Sequence, residues 1–289
     1  MIRVSFAVLA CVGLAGCASL PPEAPTCPTE QQAADFVRQY VARQQIALPA
    51  ESMTMEGALC GRDKVARLLA EPYGRVVGYK AGLTNPAVQK RFNYGQPLRG
   101  TLFERMIVRD NAEVPANFGA RPVFEADLVV EVKDTGIVDA KTPLEVLEHL
   151  SAIYPFIELP DLTYTDPAKI TGPALAYANV AARLGVLGAA IPVRPTQALA
   201  DSLRDMTVRL IDGGGKELDS GKGSATLDHP LNSVIWLVAD LRKSGVAVKP
   251  GDLLSLGSFT KLIPPQPGLT VRAVYEGLPG NPGVSVRFR

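Results

Sequence analysis

The stretch from Pro122 to Lys133 constrains this chain more than any other. Phe124, Ala126, Leu128, Val130 and Val132 alternate with Glu125, Asp127, Glu131 and Lys133. A period of two predicts a half-buried strand, and residues two apart on a strand point the same way, about 7 Å from one another at the backbone. Glu125 and Asp127 can therefore converge on one ion. A third carboxylate, Glu158, sits in the otherwise apolar run Ile153 to Pro160, where an unpaired charge is costly. Together the three predict a divalent-cation site. The competing account is an ordinary solvated strand face, which Glu131 and Lys133 would continue; it does not cover Glu158.

The chain has 289 residues, 47% of them hydrophobic, enough for a sizeable core in one large domain or two small ones. Thirty basic residues against 29 acidic ones give a net charge of +1. No basic face is implied, so nucleic acid is not an expected partner. With only two histidines, His149 and His229, a His-rich zinc site is disfavoured. Oxygen ligands point instead to Mg²⁺, Mn²⁺ or Ca²⁺.

Residues 1–17 read as a targeting segment. Arg3 gives the positive start, and Val4 to Leu14 form an apolar core too short to span a bilayer as a mature helix. Leu14-Ala-Gly-Cys17 resembles a bacterial lipobox, which predicts lipidation of Cys17; an ordinary secretory signal is the alternative. Ala18 stands where an aspartate would favour retention in the inner membrane. The expected location is thus the periplasmic side of a bacterial membrane, lipid-anchored, the outer membrane ahead of the inner. Cys11 would leave with the signal. Cys27 and Cys60 would remain in an oxidising compartment, where a disulfide and two independent thiols both stay open. Residues 18–28, with four prolines, read as a stiff tether. Residues 29–289 then form the functional domain, with a helical part over about 29–100.

Within that domain, Thr29 and Gln32 form a capping box before a helix whose apolar face is Ala33, Phe36, Val37, Tyr40 and Val41. A second helix is expected over about 56–70, a strand over 75–83, and a short helix from Pro86. Thr142 and Glu145 open a helix predicted to reach about Ala152. Gly172-Pro173 open another, predicted to end near Gly185. A strand and turn cover 206–218, a helix starts at His229-Pro230 and stops by Gly245, and short strands follow from Asp252. Helices early and short strands late predict an α+β fold. Lys80, between Gly78 and Gly82, is a candidate to hold a substrate carboxylate or move a proton. Asp219 to Ser224 is a weak candidate anion loop. His229 reads as a structural helix-start residue rather than a ligand. The chain carries neither a nucleophile elbow nor a dinucleotide fingerprint.

Gly78-Tyr-Lys-Ala-Gly-Leu-Thr84, Gly100-Thr-Leu-Phe103, Phe124-Glu-Ala-Asp127, Phe156-Ile-Glu-Leu159, Ser220-Gly-Lys-Gly-Ser224 and His229-Pro-Leu-Asn232 occur in that order. Together they resemble the 2-keto-4-pentenoate hydratase branch of the fumarylacetoacetate hydrolase superfamily, from about Thr29 to the C-terminus. The resemblance implies a helical N-terminal part followed by a mixed, partly barrel-like β fold. It implies bound Mg²⁺ or Mn²⁺ on Glu125, Asp127 and Glu158, a catalytic Lys80, and substrate contacts from Lys80, Leu83 and Ser258. The implied reaction is hydration of a small 2-oxo (dienol) acid to a 4-hydroxy-2-oxo acid. Leu98 in Gln96-Pro-Leu-Arg-Gly100 replaces an acid of the hydratases, and the related 2-oxo-3-enedioate decarboxylases are apolar there. Decarboxylation is therefore the alternative, and a non-catalytic binding lipoprotein of the same fold is a third reading. An acylpyruvate hydrolase is disfavoured, because no histidine precedes His149. Homo-oligomerisation is compatible with the chain, and the sequence does not fix it.

Overall fold

The computed structural model describes Met1 and residues 26–289; the lipobox and most of the proline tether lie outside the described residues. Helix α1 (Glu30–Val41) begins at the expected capping box: the Thr29 hydroxyl accepts the Gln32 N–H at 3.2 Å, and the Gln32 amide oxygen accepts the Thr29 N–H at 2.8 Å. Ala33, Phe36, Val37 and Tyr40 are buried, while Val41 is left exposed. Helix α2 (Met55–Tyr73) starts on the Thr54 hydroxyl and ends at Gly74, whose φ is +83°. A Cys27–Cys60 disulfide ties the segment ahead of α1 to α2, which resolves the open choice for these two cysteines. Strand β1 (Val76–Gly82), helix α3 (Pro86–Arg91, capped by Asn85) and strand β2 (Leu98–Phe103) follow.

Two short strands, β3 (Ile107–Arg109) and β4 (Ala112–Val114), precede the central strand β5 (Glu125–Val132). Helix α4 (Pro143–Glu148) stops short of the expected Ala152, because Leu150 to Leu159 form strand β6. Its β-branched and aromatic residues favour a strand, Pro155 would break a helix, and the run pairs with β5 along most of its length. Helix α5 (Gly172–Tyr177) likewise ends before Gly185. Asn179, Val180 and Ala181 all adopt left-handed φ, and β7 (Leu184–Leu187) begins soon after. Strand β8 (Ile191–Pro192), helix α6 (Gln197–Asp205), the hairpin β9 (Thr207–Asp212) and β10 (Glu217–Lys222), helix α7 (Pro230–Lys243), and strands β11 (Leu253–Ser255), β12 (Thr270–Glu276) and β13 (Gly283–Phe288) complete the chain.

The strands form two sheets. The larger runs β2-β1-β11-β5-β6-β7-β3, with β8 on β6, and is mixed; the smaller runs β10-β9-β12-β13-β4. The fold is α+β, and the larger sheet curls into a half-barrel. The N-terminal part is not a separate layer, since it supplies β1 and β2. One apolar core fills the space between the sheets and includes Ala126, Leu128, Val130 and Val132 from β5. A second core joins α1, α2 and α5 to Leu83, Leu98 and Val180. The expectation of a half-buried β5 needs correction. Asp127 and Val129 are fully buried, and Glu125 and Glu131 only partly exposed, because protein, including the turn after β11 on Asp127, covers the polar face of β5.

The disulfide closes a loop across a sequence separation of 33 residues. Reducing it, or making Cys60→Ser, is expected to cost roughly 3–4 kcal/mol by loop-closure entropy. Denaturant unfolding with and without reductant checks this; coincident curves, or free thiols at both cysteines by mass spectrometry, would refute the pairing.

Candidate active site

The register of β5 on β6 sets Glu125 directly opposite Glu158. Facing residues on neighbouring strands carry their side chains on the same side of the sheet, so the two carboxylates share one face. Lys80 of β1 pairs with Glu158, and both side chains are almost wholly buried. Strand order places three strand spacings between them, about 14 Å in a flat sheet. A direct ion pair over that span requires the curl of the sheet. Lys80 also donates to the Val180 carbonyl at 3.0 Å.

These groups form the floor of a cavity of about 330 Å³ at the seam between the two cores. Its walls are mostly apolar, with Leu83, Phe92, Leu162, Leu175 and Val180 among them, and Arg91, Ser258, Thr260 and Lys261 add polar groups. Leu83, with φ +57°, turns the chain from β1 along the cavity wall. Ser258 donates to the Thr260 carbonyl at 2.7 Å and accepts the Thr260 N–H at 3.1 Å.

Asp127 behaves differently from the other two acids. It is fully buried and does not line the cavity. Its Oδ1 accepts the N–H groups of Leu128 (2.5 Å), Leu256 (3.1 Å) and Gly257 (2.9 Å), and its Oδ2 accepts the Ser255 hydroxyl at 2.6 Å. Both oxygens are thus engaged in fixing the turn that follows β11. The structure brings together Lys80, Glu125 and Glu158, with Leu83 and Ser258 on the walls, and leaves Asp127 off the cavity, two residues further along the same strand face. Among the described residues, no set of three acidic, histidine or cysteine side chains is gathered as ready-made ligands. The sharing of a strand face by Glu125 and Asp127 was legible in the sequence. The three donors at the end of β11, from Ser255, Leu256 and Gly257, were not.

Burial raises the Glu125 carboxyl well above the usual range, and the charges of Glu158 and Asp127 add to this while Lys80 opposes it. Burial also pushes Asp127 up to about 7, with the Glu158 charge adding and the bonds from Ser255 and Leu128 opposing. Three acids and one lysine leave an excess of negative charge in a desolvated site. Hard oxygen donors with surplus negative charge suit a divalent cation of the Mg²⁺ or Mn²⁺ kind, so the residues present fit such an ion, with Glu125 and Glu158 facing the cavity. Neither histidine is near: His149 Nδ1 pairs with Asp134 at 2.7 Å. His229 caps α7 by accepting the Leu231 N–H at 3.0 Å, with its other ring nitrogen 3.0 Å from the Ala200 carbonyl. That is the structural role expected for it.

Other candidates find different places. Asp219 to Ser224 is mostly strand β10 rather than an anion loop, and Asp219 accepts the backbone N–H of Lys261 at 2.7 Å. Leu98 opens β2, packs in the second core and does not line the cavity. The sequence reading missed the left-handed turn at Asn179, Val180 and Ala181, two of whose residues line the cavity. Left-handed residues other than glycine cost roughly 1–2 kcal/mol each, and a β-branched one such as Val180 is a marked outlier. Only the asparagine hinted at it. Tyr275 was missed as well. From the smaller sheet its hydroxyl enters the β5–β6 ladder, accepting the Phe156 N–H at 3.0 Å beside the Asp127 carbonyl.

No known family profile matches the chain. It is 29% identical over 204 residues to a 2-keto-4-pentenoate hydratase of Paraburkholderia phymatum, an alignment covering 71% of this chain and 76% of the relative. The solved 4-oxalocrotonate decarboxylase of Pseudomonas putida G7, complexed with magnesium and adipate, superposes with a TM-score of 0.78 at 23% identity, covering 91% of this chain and 99% of that one. A fumarylacetoacetate hydrolase family protein from Yersinia pestis superposes with a TM-score of 0.53 at 14% identity, over 73% of this chain and 92% of its own. The chain therefore has a fold of the fumarylacetoacetate hydrolase type, and in sequence it is similar to the 2-keto-4-pentenoate hydratases.

Proposed function

We propose that this protein is a divalent-metal-dependent lyase acting on a small 2-oxo acid in its dienol form, with hydration to a 4-hydroxy-2-oxo acid as the reaction. The observation that carries the reading is the Glu125–Glu158 pair facing Lys80 on the floor of an otherwise apolar cavity. Similarity to a hydratase over most of the chain supports it. Glu125 and Glu158 would hold Mg²⁺ or Mn²⁺, with Asp127, further along the same strand face, as the third acid. A cation bound there would stabilise negative charge on the 2-oxygen as the enol proton leaves it.

The chain's own residues do the rest. Lys80 has three ammonium donors, of which Glu158 and the Val180 carbonyl take two; the third is free to hold the substrate carboxylate or to deliver a proton at Nζ. Leu83 and Ser258 border the substrate, and the apolar walls exclude water from its hydrocarbon part. In the balanced reaction one water is gained, with its hydroxyl at C4 and a proton at C5, while the enol proton leaves the 2-oxygen and one is gained at C3. Leu98 favours decarboxylation as the second reading. It is 4% exposed in an apolar core, so no carboxylate at this position is available to orient water. Lipid anchoring at Cys17 is part of the proposal; the Leu14-Ala-Gly-Cys17 sequence and the Cys27–Cys60 bond, a feature of oxidising compartments, support it.

Purified protein with Mg²⁺ is expected to consume freshly made 2-hydroxypenta-2,4-dienoate or its hexadienedioate relative, and to stop with EDTA. Product mass shows whether water is gained or CO₂ lost; no turnover of either substrate would sink the lyase reading. Cells given an alkyne-tagged palmitate analogue should label the wild-type chain and not Cys17→Ser, and equal labelling of the two would discard the anchor.

A third expectation follows from the raised carboxyls. An acid whose folded value is raised stabilises the fold below its unfolded value, 3.8 for Asp127, and loses that contribution as pH climbs through the folded value near 7. Metal-free protein should therefore melt at progressively lower temperature from about pH 4 to 7. Mg²⁺ should raise the melting temperature more at neutral pH than at about pH 5, because it needs ionised ligands. The Mg²⁺ effect should vanish in Glu125→Ala. Scanning fluorimetry reads all three, and a Mg²⁺ effect that survives Glu125→Ala would remove Glu125 from the ligand set.

A further inference from the structure

The second acceptor of the Lys80 ammonium, the Val180 carbonyl at 3.0 Å, lies in a backbone turn that few sequences adopt. Asn179, Val180 and Ala181 have φ of 52°, 53° and 56°. Asn179 is 1% exposed, and its carboxamide grips one residue twice. Its Oδ1 accepts the Thr101 N–H at 2.7 Å, and its Nδ2 donates to the Thr101 carbonyl at 2.9 Å. Thr101 belongs to β2, the edge strand of the larger sheet, and pairs with Tyr79 on the other side. The carboxamide thus occupies ladder positions that an edge leaves open and works as a strand one residue long.

The surrounding space is shaped to the same end. A Cβ on Gly100 would lie 2.7 Å from the Asn179 carbonyl oxygen and 2.9 Å from Lys80 Cγ. A Cβ on Gly82 would lie 2.5 Å from Val180 Cγ1. The turn, the lysine stem and β2 are therefore packed as one unit, and the twofold grip of Asn179 joins the turn to the strand.

We propose that Asn179 is the positioning residue for Lys80. By clamping the left-handed turn to Thr101, it fixes the Val180 carbonyl that, with Glu158, sets the ammonium at the cavity floor and leaves one N–H for the substrate. This deepens the reading of the site given above and rests on it only for the identity of the substrate.

The test is Asn179→Ala in the full chain, with two readouts. On the dienol substrate, kcat should fall about 10- to 100-fold with KM changed less than threefold, the size expected when a group near the chemistry is misplaced by about 1 Å. Independently of turnover, protein labelled with ¹⁵N-lysine should show a slowly exchanging ammonium signal that disappears in Lys80→Met. That signal should be lost or displaced in Asn179→Ala. Should Asn179→Ala fail to fold, Asn179→Asp keeps the acceptor for the Thr101 N–H and removes the donor to its carbonyl; a smaller change of the same kind is expected. A wild-type protein without the Lys80 signal overturns the proposal. So does a variant with that signal and kcat unchanged, even if its melting temperature drops. If the wild type turns over neither substrate, the lyase reading fails while the ammonium signal still decides the role of Asn179.

Discussion

The ion pair between Lys80 and Glu158 is the contact on which the rest of the site depends. It spans strands β1 and β6, which a flat sheet would hold about 14 Å apart, so it can form only where the larger sheet curls. Glu125 stands opposite Glu158 on the neighbouring strand, and Asp127 lies two residues further along the same strand face. One lysine cannot balance three acids. Burial between two apolar cores, with the neighbouring carboxylate charge adding to it, raises the carboxyls of Glu125 and Asp127 and makes the cavity floor a place that suits a divalent cation.

The layers around this floor serve to hold it still. Between the sheets, Tyr275 carries its hydroxyl into the β5–β6 ladder beside the acids, so the smaller sheet is registered on the larger one at the site itself. On the other side, α1, α2 and α5 pack as a second core, with α2 tied by the Cys27–Cys60 bond to the segment ahead of α1. The short helix α5 leads directly into the left-handed turn that meets Lys80. Asp127 secures the turn after β11, from which Ser258 and Thr260 reach the cavity. A carboxylate that the sequence suggested for the ion thus also works as a fastening between strand and loop.

Much of this was legible in the chain before folding. The alternation of residues 124 to 133 located β5 and placed Glu125 and Asp127 on one face, because side-chain direction on a strand follows from spacing alone. Capping residues located the starts of α1, α3, α4 and α7, because an N-cap is a local bargain between a side chain and the next few N–H groups. Lys80 was singled out by its flanking glycines. The ends of α4 and α5 were misplaced, since an apolar run can serve a helix or an interior strand, and only a pairing partner chooses between them.

What the sequence by itself determined is therefore the local part: the strand, the caps, the candidate acids and the lysine, each fixed by interactions within a few residues. What only the tertiary structure decided is which of those groups meet. The pairing of Glu125 with Glu158, the curl that carries Lys80 to them, the bond between Cys27 and Cys60, the capture of Asp127 by the turn after β11, and the left-handed turn held by Asn179 all join residues distant in the chain. Their partners are set by strand order and by the curl of the sheet, for which no spacing in the sequence is a measure.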